Sequence, residues 1–317
     1  MRALVTGIAG FAGSHLADWL VANGDEVVGC AVEADWPRNL THLRGRLTLE
    51  RVDLLDFEAV CAVVRAARPD VVYHLAAMAS TAHAVREPID TLRANVTTTA
   101  NVLHATLQAE DPPRVLHVTS GDVYGLPAGD RPLAEDTPFS PTNAYAVSKI
   151  TAHYLGVQVH LAHGLPVIEA RPFNHLGPRQ GPGFVVPDFA RQLVAIARGQ
   201  AEPVLRVGDL RAQRDFTDVR DIVRGYRLLA TTGRPGRVYH LCSGRGVPIA
   251  ELLERLVAAS GVHVRVEVDP DRLRPGPVSV IVGSHARVSA ELGWHPTIDL
   301  DRSLADVLAD LHARQEL

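Results

Sequence analysis

The 317-residue chain is 46% hydrophobic and carries 32 basic against 36 acidic residues, a formal net charge of −4. That apolar content can bury one large core, or a large and a smaller one, which predicts one to two domains. The absence of a basic excess argues against nucleic acid as a partner and favours a small molecule.

The opening Met1-Arg2-Ala3-Leu4-Val5-Thr6-Gly7 reaches a glycine too soon for a signal peptide, and no later apolar run is long enough to span a membrane. A cytoplasmic protein without membrane contact is expected. Cys30, Cys61 and Cys242 are odd in number, widely spaced and set in apolar stretches. Buried reduced thiols are expected there rather than disulfides, and no metal site is expected.

In chain order, short β-branched runs alternate with helical patterns. Ala3–Thr6 reads as a strand, Phe11–Ala22 as a helix, Glu26–Val32 and Leu47–Val52 as strands, Phe57–Ala67 as a helix and Val71–Leu75 as a strand. A helix over Thr91–Ala109, a strand Val115–Val118, a helix Ala144–Ala162 and a strand Val167–Arg171 continue the alternation. This grammar predicts an α/β fold with a doubly wound parallel Rossmann sheet, whose ligand crevice lies at the carboxyl ends of the strands. From about residue 174 the chain turns to Gly/Pro-rich loops with shorter elements, which predicts a smaller α+β substrate-binding domain. A helix at Val219–Leu229 and a strand at Val238–Leu241 resemble the first half again. The expected division is therefore residues 1–173 with 218–242 for the dinucleotide, and 174–217 with 243–317 for the substrate.

Gly7, Gly10 and Gly13, with Phe11 and Ala12 among them, directly follow the first strand and open the first helix. This spacing turns backbone amides and a helix N-terminus toward a pyrophosphate with no side chain in the way, which predicts NAD or NADP. At the end of the fourth strand, His74-Leu75-Ala76-Ala77 offers small residues where the backbone must pass close to the cofactor, although tight helix packing would use them equally. The second strand offers no arginine before Arg38, and its acid, Glu33, comes about two residues late for the ribose hydroxyls. The choice between NAD and NADP leans to NAD.

Tyr145-Ala-Val-Ser-Lys149 sets a phenol and an ammonium four residues apart on one helical face. The ammonium should lower the phenol's pKa so that it can exchange a proton with a substrate oxygen. Lys149 is the only lysine in the chain. Ser120, in Val118-Thr-Ser-Gly-Asp-Val-Tyr-Gly125, follows another predicted strand and can hydrogen-bond the reacting oxygen beside Tyr145. Asn95 could orient the cluster through water or backbone, or serve only the structure.

On these segments, and on Arg171-Pro-Phe-Asn174 and Arg214-Asp-Phe-Thr-Asp-Val-Arg-Asp221, the chain resembles the extended short-chain dehydrogenases/reductases, the epimerase/dehydratase family, over essentially its whole length. Within it the chain is most similar to the GDP-sugar branch of GDP-mannose 4,6-dehydratases and GDP-4-keto-6-deoxy-D-mannose reductases. The segments carrying this are Arg171 to Pro178, Gly183 to Gln192, Val207 to Phe216 and Leu273-Arg274-Pro275. The resemblance implies a nucleotide-sugar substrate and a homodimer. It implies that Asp53 and Leu54 after the third strand, and Arg171, serve the cofactor; Asp53 could also be a plain helix cap. It implies that Asn174, Phe184 and Val185 hold the nucleotide sugar, and that Arg214 and Arg274 meet its diphosphate through their forked donors.

Reduction, 4-epimerisation and 4,6-dehydration all begin with hydride exchange assisted by the same tyrosine. Dehydration also needs an acid/base pair. In the dehydratases that this chain resembles, a glutamate fills the position of Asp122, and in the dTDP-sugar branch an aspartate stands at Gly121. Reduction of a 4-keto-6-deoxy sugar is the leading expectation, with epimerase, dehydratase and a non-catalytic dinucleotide sensor as alternatives.

Overall fold

The computed structural model describes residues 1–33, 35–126, 131–273 and 280–314. The apolar run Arg2–Thr6 forms β1, buried beyond its first residue as an inner parallel strand requires, and Phe11–Ala22 forms α1. β2 (Glu26–Ala31), β3 (Thr48–Arg51), α2 (Phe57–Ala67) and β4 (Val71–His74) follow. Next come α3 (Thr81–Arg86), α4 (Pro88–Leu107), β5 (Arg114–Val118), α5 (Ala144–His163) and β6 (Val167–Pro172). The chain goes on through β7 (Asn174–Leu176), α6 (Val185–Ala197), β8 (Val204–Val207), β9 (Gln213–Asp218), α7 (Val219–Thr232) and β10 (Val238–Leu241). It closes with β11 (Gly246–Pro248), α8 (Ile249–Ser260), β12 (Arg265–Val268), β13 (Val280–Ile281), α9 (Ala286–Leu292) and α10 (Leu300–Ala313).

Seven parallel strands in the order β10-β6-β5-β4-β1-β2-β3 make the central sheet. Strand order runs in opposite directions from β1, so the crevice opens where β1 and β4 end, with Thr6 beside His74. One face is covered by α1 and α7, over Val5, Leu116, Ile168, Tyr226, Leu229 and Trp294. The other is covered by α2, α4 and α5, over Leu4, Val72, Leu103, Val115 and Val159. A separate core joins α6, α8, α10 and β8 through Leu193, Leu205, Leu252, Leu256 and Leu304.

The helices of 11–22 and 57–67 and the strand of 238–241 have the bounds that their patterns predict. The fourth helix begins at Pro88 rather than Thr91, because proline at the first helical position needs no amide donor. The short α3, capped by Ser80, carries too few residues to show a period. Cys30, Cys61 and Cys242 are buried free thiols. Among the described residues, no helix is long and apolar enough to cross a membrane.

Candidate active site

The glycine loop joins β1 to α1 at the crevice. Gly7 has φ +72°, and a Cβ there would lie 2.8 Å from the Ala76 nitrogen, so only glycine lets the ends of β1 and β4 meet so closely. Gly10 caps α1 with no side chain spent on its first amides, and no acid stands in the first turn. Those N–H groups are left for an anion. The cradle thus fits a dinucleotide pyrophosphate: Gly7, Gly10, Phe11 and Ala12 stand on one side, with Gly13 packed behind them against Gly7 and Ile8, and Leu75, Ala76 and Ala77 on the other.

Neighbours hold this cradle in shape. Thr6 Oγ1 lies 2.8 Å from His74 Nδ1, whose Nε2 lies 3.1 Å from Thr99 Oγ1. Asn95 is buried; its Oδ1 accepts from Met78 N–H at 2.7 Å and its Nδ2 donates to Ser148 Oγ at 2.9 Å. It therefore orients the loop after β4 through the backbone. Asn39 donates to the Ala9 carbonyl at 3.3 Å, and Arg179, with φ +71°, bonds the Asn39 carbonyl, His15 and Asp18. Asn39 in a short 3-10 helix, His175, which stacks on Phe11, in the three-residue β7, and Arg179 in a loop belong to segments too short to show a period, so sequence reasoning missed them.

Ser120 starts a single 3-10 turn, Gly121–Tyr124, and its hydroxyl accepts from Asp122 N–H at 3.2 Å. Tyr145 lies in the first turn of α5, which Asn143 caps by accepting from Ala146 N–H at 2.8 Å. Its phenol hydrogen-bonds Ser120. Lys149, one turn on and buried, donates to the Val118 carbonyl at 3.0 Å and lies 5.9 Å from the Tyr145 ring centroid. Strand end and helix thus bring Ser120, Tyr145, Lys149 and Asp122 together.

Their electrostatics differ from expectation in one respect. Burial, and then the Asp122 carboxylate, push Tyr145 above the usual tyrosine range, against the Ser120 hydrogen bond. Burial lowers Lys149 to about 8, with Glu169 opposing. The Lys149 ammonium donates to the Val118 carbonyl, and burial with the Asp122 carboxylate outweighs it at the phenol. The phenol therefore keeps its proton at neutral pH. Asp122 is itself pushed up by burial, with the Arg214 charge opposing.

Other expected residues fall elsewhere. The Arg171 guanidinium is 1% exposed and bonds Glu169 at 2.7 Å and the Tyr124 hydroxyl at 2.6 Å. It does not reach the crevice, since a side chain at that strand position points into the layer between β6 and α5. Asp53 is not a helix cap: Asp56 caps α2, and Asp53 accepts from Leu55 N–H at 2.9 Å while remaining exposed. Leu54 is buried, and Asn101 bonds its carbonyl. Glu33 is exposed beyond the end of β2. Asn174 begins β7 opposite Phe216, Phe184 is the exposed cap of α6, and Val185 is the first residue of that helix. Arg214 lies on β9 opposite Val247 and Ile281 and donates to the Gln213 carbonyl at 2.8 Å. Arg274 lies outside the described residues.

The family model described as GDP-mannose 4,6 dehydratase matches residues 4–307. The chain belongs to the GDP-mannose 4,6 dehydratase family. It is 36% identical over 314 residues to a GDP-6-deoxy-D-mannose reductase of Pseudomonas aeruginosa, covering 99% of this chain and 98% of that one. The structure of RMD from Pseudomonas aeruginosa complexed with NADPH superposes with a TM-score of 0.85 at 34% identity, covering 99% of each chain. A Thermus thermophilus UDP-glucose 4-epimerase complexed with NAD does so at 0.86 and 31%, again over 99% of each. In this chain a Cβ at Gly121 would lie 3.0 Å from the Phe173 ring, so a side chain there would require that buried aromatic to give way by a few tenths of an ångström.

Proposed function

We propose that the protein is an NAD(P)H-dependent reductase of a GDP-linked 4-keto-6-deoxy sugar. Full-length similarity to a GDP-6-deoxy-D-mannose reductase supports the substrate class. The feature that carries the reaction is Asp122, the acidic side chain of the Gly121–Tyr124 turn, which stands one methylene short where the dehydratases that this chain resembles carry a glutamate, beside a Gly121 packed under the Phe173 ring.

The cofactor supplies the hydride that converts the carbonyl to an alcohol. Gly7, Gly10, Phe11, Ala12 and Gly13 hold its pyrophosphate, with Glu33, Asp53 and Leu54 toward the adenosine and Leu75 to Ala77 beneath it. NADP stands equal to NAD here, because Glu33 lies exposed and two residues past β2. Ser120 orients the sugar oxygen, Tyr145 gives it a proton, and Lys149 stabilises the charge left on the phenol. Asn174, Phe184, Val185 and Arg214 hold the nucleotide sugar, within a substrate domain of residues 174–217 and 243–317. Val147, Tyr154 and Leu161 are exposed at seven-residue spacing on α5, one face of the helix, and support a homodimer through that face. We read the protein as cytoplasmic.

The test incubates the protein with GDP-4-keto-6-deoxy-mannose and NADH or NADPH and follows cofactor absorbance. Oxidation with either is expected; none with both refutes the reading. A keto sugar formed from GDP-mannose would establish dehydration instead, with Asp122 as its base.

A further inference from the structure

Beneath the crevice, between β6 and α5, sits a buried carboxylate with no part in the reaction above. Glu169 is 5% exposed. Its Oε1 accepts from Thr119 Oγ1 at 2.6 Å and from Arg171 at 2.7 and 3.1 Å; its Oε2 meets His153 Nδ1 at 2.5 Å. Thr119 stands between Val118, whose carbonyl Lys149 holds, and Ser120. His153 stands one helical turn after Lys149. One side chain is therefore tied to both elements that deliver catalytic groups: the end of β5 with Ser120, and α5 with Tyr145 and Lys149.

We propose that Glu169 is a positioning residue whose buried negative charge, shared with Arg171, keeps Lys149 in its ammonium form; this rests on the reading of Lys149 as part of the catalytic set. Glu169 pairs directly with Arg171 and His153, and its charge reaches the buried Lys149, which donates to the Val118 carbonyl, through space. Arginine holds its proton at any working pH, so an uncompensated charge is relieved at Lys149. Burial pulls Lys149 down and Glu169 opposes it.

The other groups around Lys149 do not supply that counter-charge. His74 on β4 and His117 on β5 are held low by burial and stay neutral, and the Lys149 charge lowers both further. Tyr145 is raised by burial, and the Asp122 carboxylate bears on Tyr145, whereas the carboxylate that bears on Lys149 is Glu169. His83 is the half-buried histidine of α3, and Arg86 there is exposed. From α4 the buried polar groups are Thr91, Asn95, Thr99 and Thr106, while Asp90, Arg93 and His104 are exposed.

Because Lys149 is the only lysine, protein labelled with 13C at lysine Cε gives a single resonance whose pH titration reads this residue alone. The parent midpoint is expected near 8. Glu169→Gln should lower it by about one pH unit or more, and Arg171→Gln, which removes the competing cation, should raise it. The alkaline limb of kcat/KM should move to lower pH with the Glu169→Gln resonance, so that the activity loss grows with pH. A Glu169→Gln midpoint within about 0.3 unit of the parent overturns the proposal, as does a pH-independent loss of activity. Should that variant not fold, Arg171→Gln decides, and an unmoved or lowered midpoint overturns it. The resonance needs no substrate. A protein that shows both shifts but reduces no nucleotide sugar would refute the proposed reaction and leave the Glu169–Lys149 coupling standing.

Discussion

Gly13→Ala is the sharpest test of the cofactor cradle. In an unobstructed helix the change would stabilise by about 1 kcal/mol, since glycine is the poorer helix former. Here the added Cβ would stand 2.8 Å from Ile8 Cα, and nearer still to the Gly7 carbonyl oxygen. Ordinary carbon contacts are about 3.5–4.0 Å, so α1 must retreat by roughly 1 Å from the loop whose amides it presents. Overpacking of that size costs about 1–3 kcal/mol, which cancels or exceeds the helical gain. Displacing one charge-assisted hydrogen bond to the pyrophosphate costs about 1.5–3 kcal/mol, roughly 10- to 100-fold in Kd. Fluorescence titration with NADH and NADPH measures this, with thermal unfolding alongside to separate affinity from stability. A Kd within about threefold of the parent for the better cofactor would show that α1 does not present its amides to the dinucleotide.

Tyr145→Phe should lower kcat by about 100-fold or more while shifting the melting temperature by only a few degrees, because a single hydroxyl bonded to Ser120 is lost. Activity within about tenfold of the parent would remove Tyr145 as the proton donor. His15 and His117 are lowered by burial to about 4 and His240 to about 3. Groups depressed in the folded state contribute stability above their unfolded pKa that is lost as pH falls through the folded value, so the melting temperature should drop from about pH 6.5 down to about 4. A flat profile over that window, by differential scanning fluorimetry, would contradict the neutral buried histidines. The proposed homodimer predicts that Tyr154→Arg together with Leu161→Arg lowers the sedimentation coefficient to that of a monomer without unfolding the protein; a dimeric coefficient unchanged in the variant would move the interface off α5, and a monomeric parent would refute the dimer.

The order of strands and helices was legible in the sequence because each element states its own period. Val-Ile-Glu-Ala-Arg in β6 shows buried β-branched residues, and Phe57–Ala67 shows a helical face, whatever surrounds them. The glycine loop and Tyr145/Lys149 were legible too, since their spacing within one turn or one helix sets their geometry locally. What Glu169 and Arg171 do was not. Two charges at alternate positions of an otherwise apolar strand signal burial on one face, but the sequence does not say which partners lie there, and Arg171 reads equally well as a cofactor ligand.

The same limit applies to the phenol. Sequence alone determines that a tyrosine, a lysine and a serine belong to one crevice. Only the tertiary structure decides that Asp122 faces Tyr145, that the Lys149 ammonium turns to the Val118 carbonyl, and that Phe173 closes over Gly121. Residues distant in the chain set those three contacts. Charge and packing act through space, and no local period records which distant side chain will arrive.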